Sequence, residues 1–302
     1  MTAKFLIIIA LITFGYFLKR IHFIKPDDTR FLSRLVLNVT LPCLVIVTLN
    51  KAELNPSLTI LPILMVLYGI ISKIAIIYFF IRYDNEMRGS VGMMMGSMNI
   101  GLFAYPLVQQ IWPENGMIYF GMADIGGAFI MFGVTYFVAS YFKDSGNQFN
   151  FKYLGLNLLK SVPLMTYLTM FVLNLANIHL PKGPITFFET ISLANLPLSM
   201  ILIGSMLDFR IERKFLPVTL KYLSFHYGFG LVAGLLVQFF LPVSDDMIKT
   251  TLQVIWLLPV AVAVIPYTLK FNYRTAPVIA MNLNITIIIS IFIIYFYQMI
   301  FV

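Results

Sequence analysis

Polar residues are the exceptions along this chain, and their spacing divides it. Predominantly apolar runs of about 18 or more residues recur, each long enough to cross about 30 Å of hydrocarbon as a helix. Ten spans are predicted, at residues 4–22, 32–50, 58–81, 90–112, 116–142, 153–177, 186–207, 215–240, 247–269 and 275–300. The connections between them are short and leave no room for a separate soluble domain. A transmembrane β-barrel would need short segments that alternate polar and apolar residues, and "IIISIFIIYFY" does not alternate. Two of the predicted helices carry helix-breaking residues in their interior, "NIGLFAYP" at 99–106 and "PVAVAVIP" at 259–266.

Composition agrees with this division. Of 302 residues 60% are hydrophobic and 11% charged, and the mean hydropathy is +0.88, too apolar for a soluble domain of this length. Lys4 precedes the first span but no small-residue cleavage site follows it, so that span is expected to be retained. Cys43 is the only cysteine, which excludes an internal disulfide and a thiolate metal cage.

Charge adds an orientation. The connection after the first span holds Lys19, Arg20, Lys25, Arg30 and Arg34. The later odd-numbered connections hold Arg82 and Arg88, then Lys143 and Lys152, then Arg210, Arg213 and Lys214, then Lys270 and Arg274. The even-numbered ones hold only Lys51, Lys182 and Lys249. The positive-inside rule then puts the odd connections in the cytoplasm and both termini outside, in the inner membrane of a bacterium. The net charge of +8 is accordingly a topology signal; the basic residues form no continuous patch for nucleic acid. No HExxH, GxSxG or phosphate loop is present and no nucleotide-binding domain fits in the loops, so neither an enzyme nor an ATP-driven pump is expected.

An odd number of spans per half requires two copies to insert with opposite orientation. Residues 1–143 and 152–302 read as such an inverted pair of five-helix repeats. Leu41-Pro42 corresponds to Leu196-Pro197, and Leu61-Pro62 to Leu216-Pro217, both at an offset of 155. Further on the offset is 160 and pairs Asn99 with Pro259, Pro106 with Pro266, and Asp124 with Asn284. Because Leu-Pro is common in apolar sequence, chance is the alternative.

The runs "FLSRLVLNVTLPCLVIVTL", "GSMNIGLFAYPLVQQIWPENGMIYFGMADIGGAF" and "LLPVAVAVIPYTLKF", in this order, resemble the auxin efflux carrier family, which includes plant PIN-type carriers and bacterial malate and malonate permeases. The resemblance covers nearly the whole chain. It implies an all-α fold of ten helices like that of the bile acid sodium symporters, with a scaffold domain of helices 1, 2, 6 and 7 and a transporter domain of helices 3–5 and 8–10. It also implies that helices 4 and 9 unwind where they cross near the midplane, that substrate binds at this crossing, and that an elevator movement carries it. Asn99, Pro106, Pro259 and Pro266 are the residues carried over to the crossing, with Tyr105 beside them. Two departures stand out. The ninth helix has no amide where PIN-type carriers have an asparagine, and Gly69 stands four residues before Lys73 where they have an aspartate. Auxin is therefore not the expected substrate.

Independent of family, a proline inside a helix frees a carbonyl that hydrocarbon cannot satisfy, so broken backbone at membrane depth sits against protein or a wet cavity. Half-helix N-termini suit a carboxylate, and C-terminal ends suit a cation. For Pro42, Pro62, Pro163 and Pro217 a plain kink is the expected role, whereas the paired prolines of the ninth span point to a functional break. Asp124 lies about 13 Å into its span at 1.5 Å per residue and needs a partner, with Gly126 and Gly127 allowing close approach. It is read either as a site for a coupling ion, Na+ or H+, or as a structural acceptor. Asn282 and Asn284 either cap broken backbone or sodium, or hold helices together. Asn38 and Asn195 are read as structural, with substrate contact the alternative. Lys160 and Lys221 snorkel; Lys73 either snorkels or attracts an anion; His226 is either a proton relay or an internal hydrogen-bonding residue. The methionines of "GMMMGSM" read as packing, since no His or Cys accompanies them, and no metal or other cofactor is expected. The expected function is transport of a small organic anion of the malate or malonate type. The alternatives are a non-transporting ligand sensor or a sodium-coupled symporter of a larger anion. Membrane lipids, and a second copy through the scaffold helices, are the expected partners.

Overall fold

The apolar runs fold as helices because hydrocarbon leaves backbone groups no partner except one another. The computed structural model describes residues 2–50, 52, 55–113, 115–143, 151–208 and 212–301. Lys51 and Arg210, two of the orientation residues, lie outside them. In chain order the helices are α1 (Thr2–Arg20), α2 (Pro26–Leu35), α3 (Leu41–Asn50), α4 (Ile60–Phe79), α5 (Asn85–Met94), α6 (Tyr105–Ile111), α7 (Gly116–Phe129) and α8 (Tyr136–Tyr141). There follow α9 (Phe151–Lys160), α10 (Val162–Leu175), α11 (Lys182–Ser192), α12 (Asn195–Met206), α13 (Leu216–Phe240), α14 (Asp246–Ile255), α15 (Ile265–Lys270) and α16 (Ala276–Phe301). No strand occurs among the described residues, only the isolated antiparallel bridge Met98–Val260.

This is an all-α integral membrane protein. Among the described residues six helical stretches are long and apolar enough to span a bilayer, namely Pro26–Asn50, Pro56–Phe79, Gly116–Tyr141, Lys182–Met206, Arg213–Phe240 and Ala276–Met299. Ile100–Ile111 and Val162–Leu175 are shorter apolar helices. Large apolar side chains cover the outside; Phe239 and Phe240 are each 76% exposed, a surface that lipid accommodates and water does not. The predicted fourth and ninth spans are each split into two helices, and the sixth is divided at Ser161.

The prolines explain several boundaries and correct the kink reading. Pro163 and Pro217 sit in the first turn of α10 and α13, where a missing N–H is lost to no bond. Pro62 likewise lies in the first turn of α4. Pro42 lies well inside the helical stretch Pro26–Asn50, and a wide turn over Val36–Thr40 precedes it. There the Leu41 N–H reaches back five residues to the Val36 carbonyl, which rearranges the turn that the proline ring would otherwise strike.

Contacts divide the chain into two compact units: Met1–Leu58, Gly101–Gly121 and Leu159–Leu207 form the first, and Thr59–Ile100, Met122–Leu158 and Asp208–Val302 the second. In the first unit α1 packs on α12 backbone to backbone. A Cβ at Gly15 would fall on the Ile201 carbonyl oxygen, and one at Gly204 on that of Ile12, so only glycine permits this approach. The Thr40 hydroxyl donates to the Asn195 Oδ1 at 2.9 Å, across a sequence separation of 155. That separation equals the offset of the Leu-Pro pairs, so the two residues occupy the same position in the two proposed repeats. The Asn174 amide donates to the Leu49 and Ala52 carbonyls at 2.9 and 2.7 Å and holds α10 to the end of α3.

In the second unit α4 packs against α5 and α13 against α14. A Cβ at Gly126 would meet the Pro62 carbonyl, so α7 passes close to the start of α4, as its paired glycines suggested. Lys221 does not simply reach for water. Its ammonium lies 4.7, 4.6 and 4.8 Å from the ring centroids of Phe79, Phe80 and Tyr83, a cation–π cradle.

Candidate functional site

The second unit holds two interrupted helices whose gaps pair with each other. After α5 the chain extends from Met95 to Asn99; after α14 it runs without helix through Trp256–Ala261. The Asn99 N–H donates to the Pro259 carbonyl at 2.9 Å and the Ala261 N–H to the Ser97 carbonyl at 2.8 Å. These bonds flank the Met98–Val260 bridge. Two strands of backbone that hydrocarbon could not satisfy thus satisfy each other. Pro259, which has no N–H, contributes the carbonyl only.

The first gap opens earlier than Pro106, which corrects the expectation that this proline opens the backbone. Gly96 does so, with φ at +69°, a left-handed conformation that side chains resist. A Cβ there would also stand 2.8 Å from the Ser72 Oγ and 3.1 Å from the Gly69 Cα. The sequence signal was the glycine within "GMMMGSM", obscured by the methionines, of which Met93, Met94 and Met95 are fully buried core residues. Pro106 and Pro266 instead start α6 and α15, each after a stretch of unusual turn, the wide Ile100–Ala104 and the tight Val262–Val264.

Ending α5 in apolar surroundings leaves its last carbonyls without partners. Lys73 supplies them. The side chain is 1% exposed, and its ammonium donates to the carbonyls of Met95 (2.6 Å), Gly92 (3.1 Å) and Met93 (3.4 Å) and to the Ser97 Oγ (3.0 Å). Ser97 passes the chain on, to the Met93 carbonyl at 2.7 Å and the Thr135 hydroxyl at 2.9 Å. Lys73 therefore neither snorkels nor stands free to attract a ligand: it is the cationic cap of a broken helix, neutralising the negative end of the dipole beside the gap.

The second gap is capped differently. The Ser290 hydroxyl donates to the Leu257 carbonyl at 2.7 Å, Thr286 accepts the Val260 N–H at 3.2 Å, and the His226 Nε2 lies 3.1 Å from the Leu258 carbonyl. His226 is wholly buried. Neither Ser97 and Thr135 nor Thr286 and Ser290 were singled out from the sequence; their hydroxyls, common in any apolar helix, gain meaning only beside a gap.

The remaining candidates fall as follows. The Asn99 side chain is 5% exposed, and among the described residues its amide enters no hydrogen bond. Asp124 carries its Oδ1 3.4 Å from where a Gly127 Cβ would stand, with the Ile100 Cδ1 at 3.3 Å from the same point, so the carboxylate lies close to the residue that follows Asn99. Asn282 donates to the Val278 carbonyl at 2.8 Å and the Thr219 hydroxyl at 3.4 Å, holding α16 to α13. Asn284 donates to Ala280 and accepts the Asp208 N–H, at 2.8 and 2.7 Å. In the first unit Tyr105 is buried with its ring 5.7 Å from that of Tyr167. Asn195 is buried and engaged by Thr40, whereas Asn38 is exposed and makes no such bond. Thr40 supplies the contact from that stretch to Asn195. Among the described residues no cluster of His, Cys, Asp and Glu could hold a metal.

Paired gaps between broken helices, with cationic and hydroxyl caps, are the candidate site that the second unit offers. Residues 1–153, just over half of the chain, match the family model described as "Membrane transport protein". The chain belongs to this family, the auxin efflux carriers. It is a membrane transporter and not an enzyme, and the sensor alternative gives way. The carrier is similar to an uncharacterized transporter of Methanothermobacter thermautotrophicus, 28% identical over 222 residues and covering 70% of each chain. It is also similar to the uncharacterized transporter MJ1031 of Methanocaldococcus jannaschii, 22% identical over 240 residues, or 76% of this chain and 73% of that one.

Proposed function

We propose that the carrier moves a small carboxylate, of the malonate or malate type, through alternating access of an elevator kind, and that the paired gaps at 97–99 and 259–261 mark its binding site. The Asn99 side chain carries this reading: it stands at the gap, 5% exposed, and among the described residues neither its amide donor nor its acceptor is used. The helix that resumes at Val262 begins at the gap, and its first N–H groups favour an anion. Lys73 supports the same polarity, because its ammonium cancels the negative helix end that would repel one. Asp124 is a carboxylate close to Ile100 and His226 an imidazole beside the second gap, so of the coupling candidates these two are the ones to test for a coupled ion.

Uptake of labelled malonate by proteoliposomes tests the reading. Losing a hydrogen bond to a charged group costs about 1.5–3 kcal/mol, so Asn99→Ala is expected to reduce uptake at least about tenfold while leaving thermal stability unchanged. Absence of uptake of malonate, malate and monocarboxylates under sodium, proton and potential gradients would overturn it.

A further inference from the structure

The two gaps are built alike and capped unlike. At the first, the cap is an ammonium from α4 bonded to three carbonyls. At the second, the corresponding reach from α13 is made by the imidazole of His226 to the Leu258 carbonyl. A carbonyl can only accept, so the Nε2 of His226 carries the hydrogen, and Nδ1 is left as the free base of the ring. That Nδ1 is buried and, among the described residues, has no hydrogen-bond partner. Three more orphaned buried polar atoms adjoin the same gap: the hydroxyl of Tyr222, whose ring stacks on His226 at 5.6 Å, the Nε1 of Trp256, and the hydroxyl of Tyr68, which stacks on Trp256 at 4.5 Å. Buried polar atoms in native proteins are normally satisfied, and among the described residues four without partners gather around one unwound segment.

The groups facing the imidazole contain no competing charge apart from one. On α13 they are Tyr222 and Tyr227, the latter edge-on at 4.7 Å. On α4, Tyr68 stacks on Trp256 and the Lys73 ammonium is held by α5. The segment 256–261 has no titratable side chain, and neither has α16 from Ala276 to Ile294. Asp246 and Lys249 of α14 lie at least seven residues before Trp256.

We propose that His226 is a proton-coupling site: the carrier takes one proton from solution onto His226 Nδ1 when a carboxylate binds at the crossing. The inference rests on the anion-carrier reading above. A buried imidazolium without a counter-charge is unfavourable, and so is an anion beside an uncharged cap; each ion lowers the cost of the other, and the coupling is reciprocal. Protonation gives the second gap a positive cap like the ammonium of Lys73 at the first, and the proton then travels with the anion.

Titration calorimetry of malonate into the detergent-solubilised carrier at neutral pH, in buffers of different ionisation enthalpy, counts the protons. About one proton per malonate is expected in the wild type and none in His226→Gln, whose amide retains a donor for the Leu258 carbonyl. Correspondingly, wild-type affinity rises about tenfold per pH unit of acidification, and the variant's does not. Malonate binding without proton uptake, or with equal uptake in both proteins, overturns the proposal and leaves the anion reading standing. No heat with malonate or any other carboxylate overturns the anion reading and this inference with it. If His226→Gln does not fold, the wild-type count decides alone, and 15N-histidine spectra with and without malonate must show Nδ1 protonation at one of the three histidines of the chain.

Discussion

Lys73 illustrates how a single residue changes meaning between sequence and structure. A lysine some eight residues inside an apolar helix reads as a candidate for snorkelling, because its long apolar stem and charged head usually separate that way. The structure buries the head, since the nearest carbonyls that need a donor belong to a broken helix and not to the membrane surface. Replacing it with methionine keeps the volume and strips the ammonium from the Met95 and Gly92 carbonyls, while the Met93 carbonyl keeps the Ser97 hydroxyl. At about 1–3 kcal/mol per orphaned group, Lys73→Met is expected to lower stability by about 2 kcal/mol or more, seen as a lower midpoint of thermal unfolding in detergent. Arginine should not rescue it, because a planar fork does not fit a site shaped for a compact ammonium. Gly96→Ala should destabilise for a different reason, by about 1–2 kcal/mol for the left-handed backbone alone, with the contacts at Ser72 and Gly69 added.

At the scale of elements, the prolines were the clearest punctuation in the sequence and the most misleading. Their number and spacing located the fourth and ninth helices as the unusual ones, and the offset of 160 matched Asn99 with Pro259, the two residues whose backbones are hydrogen bonded. The positions of the breaks were not legible from them. Pro106 and Pro266 begin the second halves of their helices, and the first break depends on Gly96, which no apolar pattern marks. Nor does periodicity report that the Thr40 hydroxyl meets Asn195, since that contact joins residues brought together only by tertiary packing. The distinction can be tested. A proline in the first helical turn gives up no hydrogen bond, so Pro106→Ala and Pro266→Ala should each change stability by less than about 0.5 kcal/mol and leave malonate uptake within about twofold of wild type. Uptake abolished by either substitution, in a protein of unchanged stability, would return that proline to the binding site.

For the whole molecule the open physical question is which way it lies in the bilayer. Charge asymmetry is the argument available, and it is an argument about insertion rather than about folded contacts. Arg82, Arg88, Lys214, Lys270 and Arg274 fall on one set of connections, whereas the opposite set, through the turn at 241–245, is acidic or neutral apart from isolated lysines. Because a lysine or arginine near a helix end resists translocation, the basic set is expected to stay in the cytoplasm and both termini to face outward. The chain's single cysteine makes the test direct. Cys43 is 7% exposed, so Cys43→Ser removes a buried thiol at small cost in volume and leaves a background without cysteine. In that background, Ser244→Cys and Lys214→Cys place one thiol on each side, at positions that are exposed in the fold. A membrane-impermeant maleimide applied to intact cells should label Ser244→Cys and leave Lys214→Cys unlabelled until the membrane is opened. The reverse pattern would invert the carrier, and with it the side on which the outward-open site would meet the proton and anion of the proposed coupling.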